Sequence, residues 1–181
     1  MLYTGTSGAL ICRLCVMSAM GASTAPPSRW PGSVGRTGAE SIDELADRIE
    51  RTGPPPEDED AARRAVADAF LNSMEVGADG RTLINVEDGA ALADCAEQVR
   101  IRNAAIAPQV TQTIDHIKFL DATTAAVWLT TLLNGQPPHP GLFQRECRAV
   151  FIDGRWKVSR DSMCASWRFG GIECPPRAPS D

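Results

Sequence analysis

Few residues in this chain have the types and spacing that chemistry requires. Asp115 and His116 are the only adjacent carboxylate and imidazole. Neighbours on a strand point to opposite faces, so these two cannot work as one hydrogen-bonded acid/base pair. Asp115 alternates with Ile117 and Phe119. That makes it the candidate catalytic acid on an apolar face, set against the plainer reading of a strand carboxylate facing water. His116 reads as an exposed or packed strand histidine. Arg160 follows Trp156 and Val158 at period two. On a continuing strand it would share their direction and could grip a carboxylate ligand or pair with an acid at the sheet end. Trp128, Trp156 and Phe119 are the aromatic residues available to line such a site, as platform or as wall. The sequence holds no Ser-His-Asp arrangement, phosphate loop or metal-ligand cluster, and no cofactor is implied.

The six cysteines need separate treatment. Cys12 and Cys15 form a CxxC. A zinc site would need a second ligand pair, and the only histidines are His116 and His139. A redox CxxC would sit at a helix N-terminus after a strand, whereas this one sits in a weakly apolar leader, so no function is assigned to it. Cys95 and Cys147 fall on inward faces and read as core cysteines. Cys164 and Cys174 enclose ASWRFGGIE, where Gly170-Gly171 lets the chain double back. A bridge is geometrically possible there, and two free thiols are the alternative.

These residues depend on the elements that carry them. The chain has 181 residues, enough for one domain with tails, and its 43% hydrophobic and 23% charged residues can support a core. The net charge of -5 offers no attraction to nucleic acid or anionic lipid. No run of about twenty apolar residues exists to span a membrane as a helix. Gly8 to Ala22 resembles a signal core interrupted by Arg13 and lacking a basic start; it reads either as a poor export signal or as an extension from an upstream start. Residues 1–40 as a whole read as a disordered leader.

Ser41 to Arg51 has Ile42, Leu45 and Ile49 at helical spacing behind a Ser41/Glu44 capping box. A proline run and acidic residues follow, so 41–60 is a short helix and linker. Ala61 to Met74 reads as a helix with Val66, Ala69, Phe70 and Met74 on one stripe. After a turn at Ala78-Asp79-Gly80 and another at Asp88-Gly89, a helix carries Leu92, Cys95, Ala96 and Val99 inward, until Pro108 closes the helical half. From Val110 the period becomes two. VTQTIDHIKFL, AAVWLTTLLN, LFQRECRAVFI and RWKVSRDSM read as four strands, with Asp153-Gly154 a type I′ hairpin turn between the last two. The fold class is therefore α+β: N-terminal helices packed on a curved antiparallel four-stranded meander. The domain runs over 61–176, with a tail at 177–181.

This layout resembles the cone fold of the nuclear-transport-factor-2-like and ketosteroid-isomerase-like superfamily. AARRAVADAFLNSM stands for its long first helix, IDHIKFLDATTAAVWLTTLLNG for the central hairpin and AVFIDGRWKVSRDSMC for the last one. More narrowly, INVEDG together with the terminal WKVSR is similar to actinobacterial domains related to a low-molecular-weight secreted mycobacterial antigen. The resemblance favours a Cys164–Cys174 bridge, and with it a secreted or envelope location rather than a cytoplasmic one.

The superfamily includes isomerases, dehydratases, hydrolases and binding modules, so fold alone implies no activity. An isomerase-type site needs a carboxylate base and oxyanion donors, typically a tyrosine. The single tyrosine here, Tyr3, lies in the leader. The reading is a non-catalytic module that binds an unidentified protein or an apolar small molecule. The alternative is an isomerase- or dehydratase-like enzyme using Asp115. A third possibility is a homodimer through the open sheet face.

Overall fold

The computed structural model describes residues 41–136 and 144–177. The leader with Tyr3, Cys12 and Cys15, the connection containing His139, Phe143, and residues 178–181 lie outside the described residues. The element order is α1 (Ile42–Asp47), α2 (Glu59–Leu71), α3 (Ala93–Asn103), a 3-10 turn (Ala107–Gln109), β1 (Val110–Phe119), β2 (Thr124–Leu133), β3 (Gln144–Ile152), β4 (Arg155–Val158) and α4 (Arg160–Phe169). The strands pair as one antiparallel meander, β1-β2-β3-β4. The fold is α+β, a curled four-stranded sheet with helices.

Local signals set the element ends. Ser41 and Glu44 form the reciprocal capping box of α1. The Asp58 carboxylate accepts from the Ala61 N–H and starts α2 directly after the proline run. Asp153 and Gly154 both have positive φ, 53° and 73°, as a type I′ turn between β3 and β4 demands.

The inner face of the sheet carries Phe119, Val127, Leu129, Cys147, Ala149 and Trp156. It packs on Val66 and Phe70 of α2, on Leu92 and Val99 beside and within α3, and on Met163 and Trp167 of α4. Each of the larger side chains contributes about 1.5–3 kcal/mol by leaving water. Ala126 and Trp128 alternate with these residues along β2 and point to the outer face. There they form a separate small cluster with Leu120 and with Ala46 of α1.

Two features depart from the sequence reading. First, alternation along β1 breaks. Ile114 pairs with Leu129 and His116 with Trp128, so Asp115 is the extra residue of a β-bulge. Ile114 and Ile117 both face the core. Their odd spacing shows that the bulge moves the inward phase by one residue. Second, RWKVSRDSM is not one strand. β4 ends at Val158, and Ser159 caps a helix by accepting from the Ser162 N–H at 3.2 Å. Trp156, Val158 and Arg160 imitate a strand over three points. Met163 and Trp167, four residues apart and both buried, mark the helical period that takes over.

Candidate functional site

The bulge decides the placement of Asp115. Its side chain is exposed, on the outer face rather than with Ile117 and Phe119. It accepts hydrogen bonds from Thr130 Oγ1 at 2.5 Å and from Thr113 Oγ1 at 3.3 Å. Thr113 and Thr130 are cross-strand partners, so the bulge hangs the carboxylate over a threonine pair. His116 turns to a different set of neighbours. Its Nδ1 lies 3.2 Å from Asp43 Oδ1 of α1, and its ring meets Trp128 edge-on at 5.5 Å. Asp115 and His116 are therefore not brought into one hydrogen-bonded pair.

The aromatic candidates separate by face. Phe119 and Trp156 stand 5.5 Å apart, centroid to centroid, in the main core, and Phe151 continues the row at 5.5 Å from Trp156. The Arg63 guanidinium covers Phe119 from α2 and donates to the Ile117 carbonyl at 2.6 Å. Trp128, expected on the inward face, lies on the outer face under α1 instead. The reason is register: it alternates with Val127 and Leu129, whose side chains occupy the core.

α2, α3 and α4 all pack on the inner face of the sheet. A cavity of about 20 Å³ lies between Phe70, Leu129, Cys147, Met163 and the hydroxyls of Ser162 and Ser166. That volume suits about one water and no organic ligand. Among the described residues no group of three or more His, Cys, Asp or Glu side chains could hold a metal ion. No described helix is long and apolar enough to cross a membrane.

Arg160 is the first residue of α4 and its side chain is only 5% exposed. It does not point along a strand to an open mouth, because the strand has already ended. Its Nη2 donates to the Pro175 carbonyl at 2.5 Å, its Nη1 lies 3.7 Å from Asp88, and its backbone N–H donates to Glu87 Oε2 at 2.9 Å. The guanidinium thus joins the loop carrying Glu87 and Asp88 to the C-terminal segment.

Other groups act at the same place. A disulfide links Cys164 of α4 to Cys174, with Cα atoms 5.8 Å apart. Cys95 and Cys147 are buried and lie outside this bridge. The Cys95 thiol donates to the Glu173 carbonyl at 3.6 Å. Burial pushes this thiol up from its ordinary pKa, Asp94 adds to the rise and Arg160 opposes it. Arg177 pairs with Glu87 at 3.1 Å, and the charges of Glu87 first, then of Asp161 and Asp88, hold the Arg177 pKa up.

Sequence reading missed Glu87, Arg177 and Glu173 as parts of this assembly. A signal existed in VEDG. Asp88 has φ 53°, and a Cβ on Gly89 would meet the Leu83 carbonyl oxygen at 1.9 Å. A loop wound this tightly presents its two carboxylates in a fixed direction.

A protein-family model described as "Low molecular weight antigen MTB12, C-terminal domain" matches residues 82–174, just over half of the chain. The match takes in α3, the whole sheet, α4 and both half-cystines. No curated protein and no solved structure matches the chain.

Proposed function

The chain belongs to the family of the C-terminal domain of the low molecular weight antigen MTB12, and on that premise we propose that it is a non-catalytic, exported binding module of nuclear-transport-factor-2-like descent. It works by surface contact with a partner protein. The observation that carries this reading is the packed inner face: α2, α3 and α4 cover it, and the cavity of about 20 Å³ beside Met163 has no room for an apolar substrate. The Cys164–Cys174 bridge supports an oxidising compartment outside the cytoplasm. In this reading residues 61–176 are the working domain, 41–60 are its covering helix and linker, and the part of the outer sheet face that α1 leaves open, where Asp115 and Glu146 are exposed, is the surface available to a partner or a second copy.

The test is recovery of the protein from its own host, with peptide mapping under non-reducing conditions. Export predicts protein outside the cell with Cys164 and Cys174 joined. Recovery from the cytoplasm with both thiols free would overturn the export reading. A panel of steroid and fatty-acyl probes is expected to give no saturable binding. Saturable binding abolished by Asp115→Asn would favour the enzyme-like alternative instead.

A further inference from the structure

We propose that the Cys164–Cys174 disulfide is a redox latch on the C-terminal segment: its reduction by a dithiol releases residues 171–177 from an otherwise folded body and uncovers Arg160 and Cys95. The reaction is a two-electron exchange. The dithiol attacks the S–S bond and leaves as its own disulfide, while its two protons end on Cys164 and Cys174.

The geometry separates the latch from the body. The body is one core built by the sheet with α2, α3 and α4. The segment adds Ile172 and the partly buried Cys174 to that core. The buried Arg160 and Cys95 side chains each give one hydrogen bond to its backbone, and its ion pairs sit near solvent. The Arg168–Glu173 pair is exposed on both sides, and Arg177, which reaches Glu87, is half exposed. Such contacts are individually weak. The covalent bond is what keeps them together, since it ties the segment to the middle of α4.

Beneath the segment lie two groups that are buried while it is seated. One is the Arg160 guanidinium, bound to the Pro175 carbonyl. The other is the Cys95 thiol, bound to the Glu173 carbonyl. Lifting the segment removes both acceptors. It also takes away the cover that the Glu173 backbone gives the thiol, while the Arg160 charge, carried on α4, stays. Cys95 thus passes from a protected thiol to a reactive one beside a cation. Cys147 supplies an internal control. It is equally buried, but on β3, beside a cavity that no residue of the segment lines.

The experiment is timed alkylation of the full chain with iodoacetamide, with and without a phosphine reductant, followed by peptide mapping. In the oxidised protein, Cys95 and Cys147 are both expected to stay unmodified. After reduction, Cys95 is expected to react at least about tenfold faster than Cys147, as local opening requires. The Cys164→Ser/Cys174→Ser double variant should give the same ratio without reductant. Equal rates at Cys95 and Cys147 would mean that the whole domain opens, and continued protection of Cys95 would mean that the segment stays seated without its bond. Either result overturns the latch.

Discussion

Arg160 and Pro175 are joined by a 2.5 Å hydrogen bond from a buried guanidinium to a backbone carbonyl. The contact closes a loop that the disulfide closes again one residue earlier, at Cys174. Arg160→Met should leave the carboxylate of Asp88 and the carbonyl of Pro175 without this donor, at a cost of about 2–4 kcal/mol. Thermal unfolding measures the loss. Arg160→Lys should recover only part of it, because one ammonium cannot reproduce the spread of the guanidinium. A methionine variant as stable as the wild type would remove this account.

Breaking the bridge should also cost stability through the unfolded state. The Cys164→Ser/Cys174→Ser variant is expected to lose about 2–3 kcal/mol, the chain-entropy value for a loop of this size. Denaturant titration under reducing conditions should bring the wild type down to the variant, and a persistent gap between the two would show that the serines do further damage.

Asp115 is expected to tolerate change. Asp115→Asn keeps an acceptor for the hydroxyls of Thr113 and Thr130 on the outer face, so stability should shift by less than about 1 kcal/mol. Thr130→Val should behave similarly. A larger loss in chemical denaturation would point to a structural demand at the bulge.

The helix α1 shields Trp128. Deleting residues 1–53 removes Ala46, Ile42 and Ile49 from the outer cluster. It should cost about 2–3 kcal/mol through exposure of apolar area. The Trp128 emission, read as the difference from a Trp128→Phe partner, should shift to the red. Sedimentation of the truncated chain should show self-association at high concentration, since an uncovered apolar patch seeks a partner. A blue, unshifted Trp128 would mean that α1 is not what shields it.

Asp79 gives a pH handle. Hydrogen bonds from the Thr82 hydroxyl, then from the Arg81 and Thr82 N–H groups, lower its pKa from 3.8 to about 2. A depressed carboxylate stabilises the folded state above its unfolded pKa, and the effect disappears as pH falls through the folded value. The 77–82 turn should therefore tighten between pH 2 and 4 as pH rises. A carboxyl NMR titration should find the Asp79 midpoint near 2, and Asp79→Asn should abolish the response. A midpoint at the ordinary carboxylate value would refute it.

Much of the architecture was legible in the residues. The Ser41/Glu44 capping box, the Asp153-Gly154 turn and alternating strands are local devices, and each acts within a few positions. They located α1 to α3 and the four-stranded order, as well as the glycine pair that lets Cys174 return to Cys164. Three placements needed the assembled fold. Asp115 turned outward because a bulge shifts phase, and a bulge is visible only once a strand is paired with its neighbour. Trp128 changed face because both sides of β2 are buried, one under the main core and one under α1. Arg160 left the strand because Ser159 starts a helix whose Met163 and Trp167 had a core to enter.

The sequence by itself determined the class of the fold, the sites of its turns and the residues able to form its cross-link. The tertiary structure alone decided which face each side chain takes, that the chain after β4 becomes a helix packed on the inner face, and that Arg160 holds the C-terminal segment. The physical reason is range. Turns and caps are satisfied by neighbours along the chain, whereas phase, burial and ion pairing depend on elements brought together from far along it.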